Sequence, residues 1–263
     1  LEDSLGDKTS KYAKKELKIS GSLKDKMLAL KSIIEEASDK YGVNSNLIRA
    51  VIYVESAYDP DIVSSKGAIG LMQLLPGTAK QMGASDAFDP RQNVMAGTKF
   101  LSVLMGGSVK NMFQKLGKEH AIPFEWSDLT ECQQTRLYLY SYNAGVSGLL
   151  KRGIGKSSLK NLKNSDKTPD EWFEVIVDHY RNKRPQNIEK DPSEFDYSLK
   201  TINFANNLGE NYCIGEQVSD DDSSVQIDQS KLQVALIGSE ISAFSPGSTD
   251  ASDKSVYRDL NRK

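Results

Sequence analysis

The sequence is poor in the residues that build metal centres and disulfide frameworks. Its 263 residues include two cysteines, Cys132 and Cys213, and two histidines, His120 and His179. No Cys-x-x-Cys and no His-Glu-x-x-His pattern occurs. The chain therefore has few side chains that could ligate zinc or form a Ser-His-Asp triad. We expect each histidine to be a surface or packing residue. A single bridge between the cysteines is one alternative, but we predict two free thiols in the core.

Long apolar runs and an excess of one charge are also missing. No stretch approaches the roughly 18 unbroken apolar residues of a membrane span, so none is predicted in this chain. Residues 1–15 lack the apolar segment of a signal peptide, and removal of an upstream signal or lipid anchor stays compatible with this. The 34 basic residues balance 36 acidic ones, which argues against a nucleic-acid partner.

Composition divides the chain into three regions. Residues 1–21 form a polar, lysine-rich arm, and residues 22–215 hold the apolar residues of one folded domain. Residues 216–263 carry nine acidic and five basic groups and a segment rich in Ser, Asp, Gly and Pro. We expect this acidic C-terminal extension to be partly disordered, because it has little apolar surface to bury.

The middle region has the periodicity of helices. Apolar residues recur there every three or four positions, and little period-two alternation occurs before residue 224. The predicted fold class is therefore mainly α, with a short hairpin in a loop left open. We expect helices over 22–41, 46–56, 128–143, 169–181 and 192–208, with two more beginning at Pro76 and Pro90.

Several of these helices carry residues that favour helix starts and stops. Gly106-Gly107 predicts the end of the helix that begins at Pro90, and residues 107–127 have no clear pattern. The other ends depend on capping side chains and on proline in a first turn. The predicted starts are Ser22 with Asp25, Asn44 or Ser45, Asp89 with Pro90, and Asp128 with Glu131.

One carboxylate occupies an apolar helix face. On the helix over 46–56, Glu55 lies three or four residues from Ile52 and Val51, so these side chains share one side. Burial disfavours the charged form of a carboxyl group and raises its pKa, as a general acid near neutral pH requires. The alternative is an ordinary Glu at a helix end that extends into solvent.

A glycine-rich loop and a tyrosine-rich segment contain residues suited to sugars. The loop over 64–73 has two glycines that allow a tight turn and close approach of a ligand. Gln73 offers donors and an acceptor to hydroxyl and acetamido groups. Tyr142 beside Asn143 pairs a ring face with an amide. Taken alone, tyrosines in such a segment are more often core or surface residues.

Together, these segments resemble the lytic transglycosylase domain of murein-cleaving enzymes, which has a goose-lysozyme-like fold. The similarity covers about residues 28–208, and a weaker similarity to the membrane-bound branch surrounds Pro185, Glu194 and Tyr197. The matching motifs are Glu55-Ser56, Gly70-Leu71-Met72-Gln73 with Pro76, Thr78 and Ala79, Asp89-Pro90 with Asn93 and Gly97, and Tyr142-Asn143-Ala144-Gly145.

The resemblance implies a role for each matched residue. Glu55 corresponds to the single catalytic acid and base, and Ser56 to a structural neighbour. The remaining matches imply contacts with the glycan. Ser64 would contact substrate near the cleavage point, Met72 and Gln73 would line the groove, Tyr142 and Asn143 would form the opposite wall, and Tyr197 would point at the catalytic carboxylate.

The implied activity is non-hydrolytic cleavage of the β-1,4 bond between N-acetylmuramic acid and N-acetylglucosamine in peptidoglycan. It leaves 1,6-anhydro ends, needs no metal or organic cofactor, and takes place in the periplasm or elsewhere outside the cytoplasmic membrane of bacteria. Asp59 and Asp61 are the nearest other carboxylates, but the Asp59-Pro60-Asp61 sequence predicts a turn in which they act as caps or surface charges.

Two other functions remain open at this point. A lysozyme-like hydrolase would keep the fold and admit water, and a murein-binding scaffold would dock in an envelope-spanning assembly. Residues 106–135 look longer than the compact family form, and their Phe124 and Trp126 suit a groove lid, a partner surface or plain packing. An envelope protein partner could bind there or on the C-terminal extension.

Overall fold

The structure is a computed structural model that describes residues 19–120, 124–147, 168–181 and 197–213. Most of the polar arm, the whole acidic extension, and Pro185 and Glu194 lie outside these ranges, and within them the side chains of His120 and His179 are not described. Within them, no helix is both long enough and apolar enough to cross a membrane.

The described residues form helices joined by loops, without any extended strand. Two isolated β-bridges, Val63 with Ile69 and Ile69 with Leu74, fold the loop between the second and third helices. The prediction of a mainly α fold is confirmed. The helices are α1 Leu23–Tyr41, α2 Ser45–Ser56, α3 Pro76–Met82, α4 Pro90–Val103, α5 Val109–His120, α6 Glu131–Ala144, α7 Pro169–Arg181 and α8 Tyr197–Asn207.

The predicted caps of the first, second and fourth helices are present. Ser22 and Asp25 cap α1 reciprocally, each side chain bonding the other's backbone N–H. The Asn44 side chain accepts hydrogen bonds from two backbone N–H groups at the start of α2. The Asp89 carboxylate accepts one from Gln92 N at 2.8 Å, one turn into α4. Local side-chain chemistry therefore sets these three helix starts.

The predicted end of the helix that begins at Pro90 is confirmed, because the helical turn over Leu104–Ser108 is kinked at Gly107, whose φ of 126° is not helical. One predicted boundary is wrong. The capping pair at α6 is Thr130 with Gln133 instead of Asp128 with Glu131. Asp128 ends a short 3-10 helix that begins at Trp126.

The core surrounds α2. This helix packs against α1 on one side and against α8 on the other, while α6 packs on α8 and α4 packs on α1. Ile48, Val51 and Ile52 are fully buried. A helix buried on so much of its surface holds its C-terminal end in a fixed place, and that end carries Glu55.

Residues 106–135 contribute an aromatic cluster to the core. The Phe113 ring lies 5.6 Å from the Phe124 ring and 5.4 Å from the Trp126 ring, between centroids. Trp126 also contacts Tyr138 of α6, and Phe124 contacts Trp172 of α7. Phe124 and Trp126 are both buried. Of the three interpretations of these aromatic residues, packing agrees with the structure.

The prediction of two free thiols is wrong. Cys132 and Cys213 form a disulfide, with their Cα atoms 4.7 Å apart. Cys132 lies in the first turn of α6, and Cys213 lies six residues beyond the end of α8. Their 81-residue separation gives no local signal of pairing. Only the packing of α6 on α8 brings the two side chains together.

Candidate active site

Glu55 is the penultimate residue of α2, and its side chain is partly buried. Burial raises the pKa of this carboxyl group from its ordinary value to about 7, and the interaction with the Tyr197 side chain acts in the opposite direction. A carboxyl with this pKa is protonated in a substantial fraction of molecules at neutral pH. It can therefore donate a proton and later accept one.

The backbone beyond Glu55 turns sharply. Ala57 and Tyr58 both adopt left-handed conformations, with φ of 49° and 63°. The Ala57 N–H donates to Tyr53 O at 2.8 Å, and the buried Tyr58 hydroxyl donates to Arg49 O at 3.1 Å. Such conformations are unfavourable for residues other than glycine and persist only where surrounding contacts impose them.

Replacing Ala57 by Gly is expected to stabilise the protein by about 0.5–1 kcal/mol, because an exposed left-handed C-cap is the position where glycine is favoured. Thermal unfolding would measure the gain. Replacing the exposed Ser65 by Gly is a suitable control, and we expect no increase there. An unchanged or lower melting temperature for Ala57→Gly would contradict the assignment of strain to this cap.

The loop between α2 and α3 presents a tight turn over residues 70–73. Gln73 N donates to Gly70 O at 3.1 Å, and Ile69 and Leu74 exchange backbone hydrogen bonds at 3.0 and 3.1 Å. Gly70 has a φ of 74°. A Cβ atom there would lie 2.6 Å from Asn93 Nδ2 and 2.8 Å from Ala87 O. The turn therefore requires glycine for both conformation and space.

Side chains from three helices hold this turn. Ser56 Oγ of α2 donates to Leu71 O at 2.9 Å, and the Tyr142 hydroxyl of α6 donates to Met72 O at 2.8 Å. Asn93 Oδ1 of α4 accepts from Met72 N at 2.8 Å. The turn is thus joined directly to the residue that follows Glu55, as a structural role for Ser56 requires.

The predicted groove residues differ in what they expose. Met72 is fully buried, so its side chain cannot line a groove and belongs to the core. Gln73 is partly exposed, and its Nε2 donates to Ile62 O and Gly70 O at 3.1 and 3.0 Å. Ser64 is also partly exposed, and its Oγ accepts from Ala68 N at 3.0 Å.

Two tyrosines approach Glu55 from α6 and α8. Burial and the charge of Glu55 both raise the pKa of the Tyr142 hydroxyl, so this ring lies close to the carboxylate. Tyr197, the first residue of α8, is buried, and its side chain interacts with the Glu55 carboxyl so as to lower its pKa. Asn143 is exposed beside Tyr142. The fold therefore brings Glu55, Tyr142 and Tyr197 together from three helices.

Other acidic residues have different surroundings. Asp59 Oδ1 accepts from Asp61 N at 3.0 Å, so Asp59 caps the turn that follows α2. Across the described ranges, no group of three or more His, Cys, Asp or Glu side chains is placed to hold a metal ion. The chemistry available at this site is that of one carboxyl group with a raised pKa.

An α-helical domain with one such carboxyl at a helix end, beside a glycine-rich turn and a tyrosine wall, has the arrangement expected of a glycan-cleaving protein. Residues 32–164, half of the chain, match the family described as "Transglycosylase SLT domain". The chain belongs to this family. The resemblance drawn from the four motifs is confirmed, and with it the lysozyme-like fold class.

Similar proteins include two murein transglycosylases. The chain is 46% identical over 142 residues to membrane-bound lytic murein transglycosylase F of Desulfosudis oleivorans, covering 53% of this chain and 26% of that protein. It is 30% identical over 170 residues to endo-type membrane-bound lytic murein transglycosylase A of Citrobacter koseri, covering 60% of this chain and 76% of that protein. The chain thus spans only about a quarter of the length of the first relative.

Among solved structures, an inactive mutant of lytic transglycosylase Slt from Pseudomonas aeruginosa superposes with a TM-score of 0.40. The two sequences are 20% identical. The superposition covers 70% of this chain and 24% of that chain.

Proposed function

We propose that this chain is a peptidoglycan lytic transglycosylase that cleaves the β-1,4 bond between N-acetylmuramic acid and N-acetylglucosamine. The observation that carries the proposal is the Glu55 carboxyl, whose pKa is raised to about 7 at the end of a buried helix. Family membership and the names of the similar proteins support the same substrate.

One carboxyl group can serve both steps of this reaction. Protonated Glu55 gives its proton to the glycosidic oxygen, and that bond breaks. The substrate's acetamido group stabilises the developing positive charge. The Glu55 carboxylate then takes the proton of the C6 hydroxyl, whose oxygen bonds to C1 and closes the 1,6-anhydro ring. No water is consumed, and Glu55 ends as it began.

Among the described residues, the groups that shift the pKa of Glu55 include no second carboxylate, which agrees with this mechanism. Hydrolytic glycosidases pair two carboxyl groups, about 5–5.5 Å apart for retention or about 6.5–9.5 Å apart for inversion. In the part of the chain that the structure describes, burial and the interaction with Tyr197 account for the shifted pKa of Glu55, without a contribution from another acidic group.

The residues around Glu55 suggest how a glycan is held. Gln73, Ser64 and Asn143 are accessible and carry hydrogen-bonding groups suited to hydroxyl and acetamido groups. Tyr142 and Tyr197 supply the wall next to the carboxyl. Met72 is buried and supports the turn next to Gln73 without contacting the glycan itself. These substrate-binding roles are part of the proposal.

We further propose an extracytoplasmic location in the bacterial envelope, where peptidoglycan lies. The Cys132–Cys213 disulfide supports it, because disulfides persist in oxidising compartments such as the periplasm. The similar proteins are described as membrane-bound murein transglycosylases, which agrees with this location.

An envelope protein partner would bind residues 106–135 or the acidic extension. Within the first segment, Phe124 and Trp126 are buried, and the exposed residues include one face of α5. Lys110, Lys115 and Lys118 lie on it. Charge reversal at these three lysines should release a partner recovered by pull-down. Retention of the partner would contradict binding at this face of α5 and would favour binding at residues 216–263.

Mass spectrometry of fragments released from purified murein tests the proposed reaction. We expect anhydro-muropeptides from the intact protein and none from Glu55→Gln. Reducing ends that vanish in the variant would keep Glu55 as the acid and make water the acceptor. Absence of fragments from both proteins, with binding to murein retained, would favour a scaffold.

Replacing Tyr197 by Phe is expected to shift the alkaline side of the pH–rate profile to higher pH. The hydroxyl lowers the pKa of Glu55, so its removal raises that pKa and keeps the acid protonated further into alkaline pH. Tyr142 and Tyr197 are the titratable groups that face Glu55 from α6 and α8. Initial rates from about pH 5 to 9 would measure the shift. A shift to lower pH would contradict the Tyr197 assignment.

A further inference from the structure

Asn93 is a buried residue that bonds the turn over residues 70–73. It lies in the first turn of α4, and its side chain is 1% exposed, so it cannot contact a glycan. Its carboxamide nevertheless makes three hydrogen bonds. Oδ1 accepts from Met72 N at 2.8 Å, and Nδ2 donates to Ile69 O at 2.9 Å and to Ala87 O at 2.8 Å.

The bonds to Met72 N and Ile69 O hold the turn over residues 70–73 from the buried side. Ile69 precedes the turn, and Met72 lies within it. The carbonyl of Met72 accepts from the Tyr142 hydroxyl at 2.8 Å. Both backbone groups of Met72 are therefore held by buried side chains, one from α4 and one from α6.

Gln73 follows directly and depends on this support. It has a left-handed φ of 47°, which a residue other than glycine adopts only when its surroundings impose it. Its side chain folds back onto Gly70 O and Ile62 O. The orientation of Gln73 is thus determined by the backbone that Asn93 fixes.

We infer that Asn93 is a positioning residue for glycan binding, which fixes the Met72 backbone and through it the side chain of Gln73. The inference rests on the proposed function and deepens it, because it assigns the groove's alignment to a residue that never meets the substrate. Its effect is on affinity for the glycan, separate from the acid–base chemistry of Glu55.

The adjacent residue provides a matched control. Gln92 is also an amide on the first turn of α4, and its Oε1 accepts from Ser85 N, Ser85 Oγ and Asp86 N at 2.9, 2.8 and 3.1 Å. These bonds hold the loop that contains Ala87, which Asn93 also contacts. Loss of the Gln92 amide therefore disturbs this loop without removing the support of Met72.

The experiment measures binding of the full chain to purified murein sacculi by co-sedimentation, in the Glu55→Gln background so that cleavage does not interfere. We expect Asn93→Ser to weaken binding by about tenfold, since it removes buried hydrogen bonds that fix the turn. Gln92→Ala should bind within about twofold of its parent. Thermal unfolding confirms that each variant is folded at the assay temperature.

The outcomes separate this inference from the proposed function. If the parent fails to bind sacculi, the proposed substrate is wrong and the inference fails with it. If the parent binds and folded Asn93→Ser binds equally well, or both variants weaken equally, the inference alone is overturned. Should Asn93→Ser not fold, Tyr142→Phe removes the other support of Met72, and binding equal to the parent's would overturn the inference.

Discussion

Replacing Glu55 by Gln should lower the rate of glycan cleavage by about 10³–10⁴-fold, the upper range for loss of a general acid and base. Glutamine keeps the size of the side chain but can neither donate nor regain the proton. Binding to murein should persist, because the residues proposed to hold the glycan are unchanged. Release of soluble fragments from murein measures the rate.

The same substitution should stabilise the fold at alkaline pH. The carboxyl has a pKa of about 7 in the folded protein and an ordinary value of 4.5 when exposed. Between these values the folded state holds the proton that the unfolded state has released, so stability falls as the pH rises. Glu55→Gln removes this loss. Above pH 7 we expect a gain on the order of 1–2 kcal/mol, reduced by partial solvent exposure, and no gain below about pH 4.5.

Asp59→Asn is the matched control for these measurements. It removes a carboxylate four residues away and keeps the oxygen that caps the turn. Its rate should stay within about twofold of the parent, and its pH dependence of stability should be unchanged at alkaline pH. Loss of cleavage in this variant would show that Glu55 does not act alone.

Replacing Gly70 by Ala should destabilise the protein by about 2–5 kcal/mol. The left-handed φ of 74° contributes about 1–2 kcal/mol, and the crowded Cβ contributes about 1–3 kcal/mol more. The Cβ would meet Asn93 Nδ2 and Ala87 O, and a backbone oxygen cannot move aside as a flexible side chain does. Denaturant unfolding would measure the loss, and glycan binding should weaken with it.

A substitution at Gly67 distinguishes the cost of the left-handed conformation from the cost of the crowded Cβ. It belongs to the same loop and has a φ of 78°, but a Cβ there meets nothing within 4 Å. Gly67→Ala should therefore cost only the conformational part, about 1–2 kcal/mol. Equal losses for the two variants would show that crowding at Gly70 is unimportant.

Sequence alone predicted what depends on neighbouring residues. Ser22 and Asn44 cap helices as expected, and the apolar face that carries Glu55 is the face buried in the core. The raised pKa follows from that burial. In each case the cause lies within one or two turns of the chain, so the pattern of residue types records it.

What could not be predicted depends on distant residues. Met72 belongs to the core because α4 lies against it, at Gly97, and nothing within the glycine-rich loop reveals that. The support given by Asn93 to a turn more than 20 residues away was also missed. A polar side chain on the apolar face of α4 was the available signal, since a buried amide must find partners.

The Cys132–Cys213 disulfide closes a covalent ring that contains residues 132–213. Tyr142 and Tyr197 both belong to that ring. A protease that cuts one peptide bond anywhere inside it would leave the two fragments joined through sulfur. The cut protein would migrate as one band on a denaturing gel without reductant and as two bands with it, and the wall beside Glu55 would remain attached to the rest of the chain.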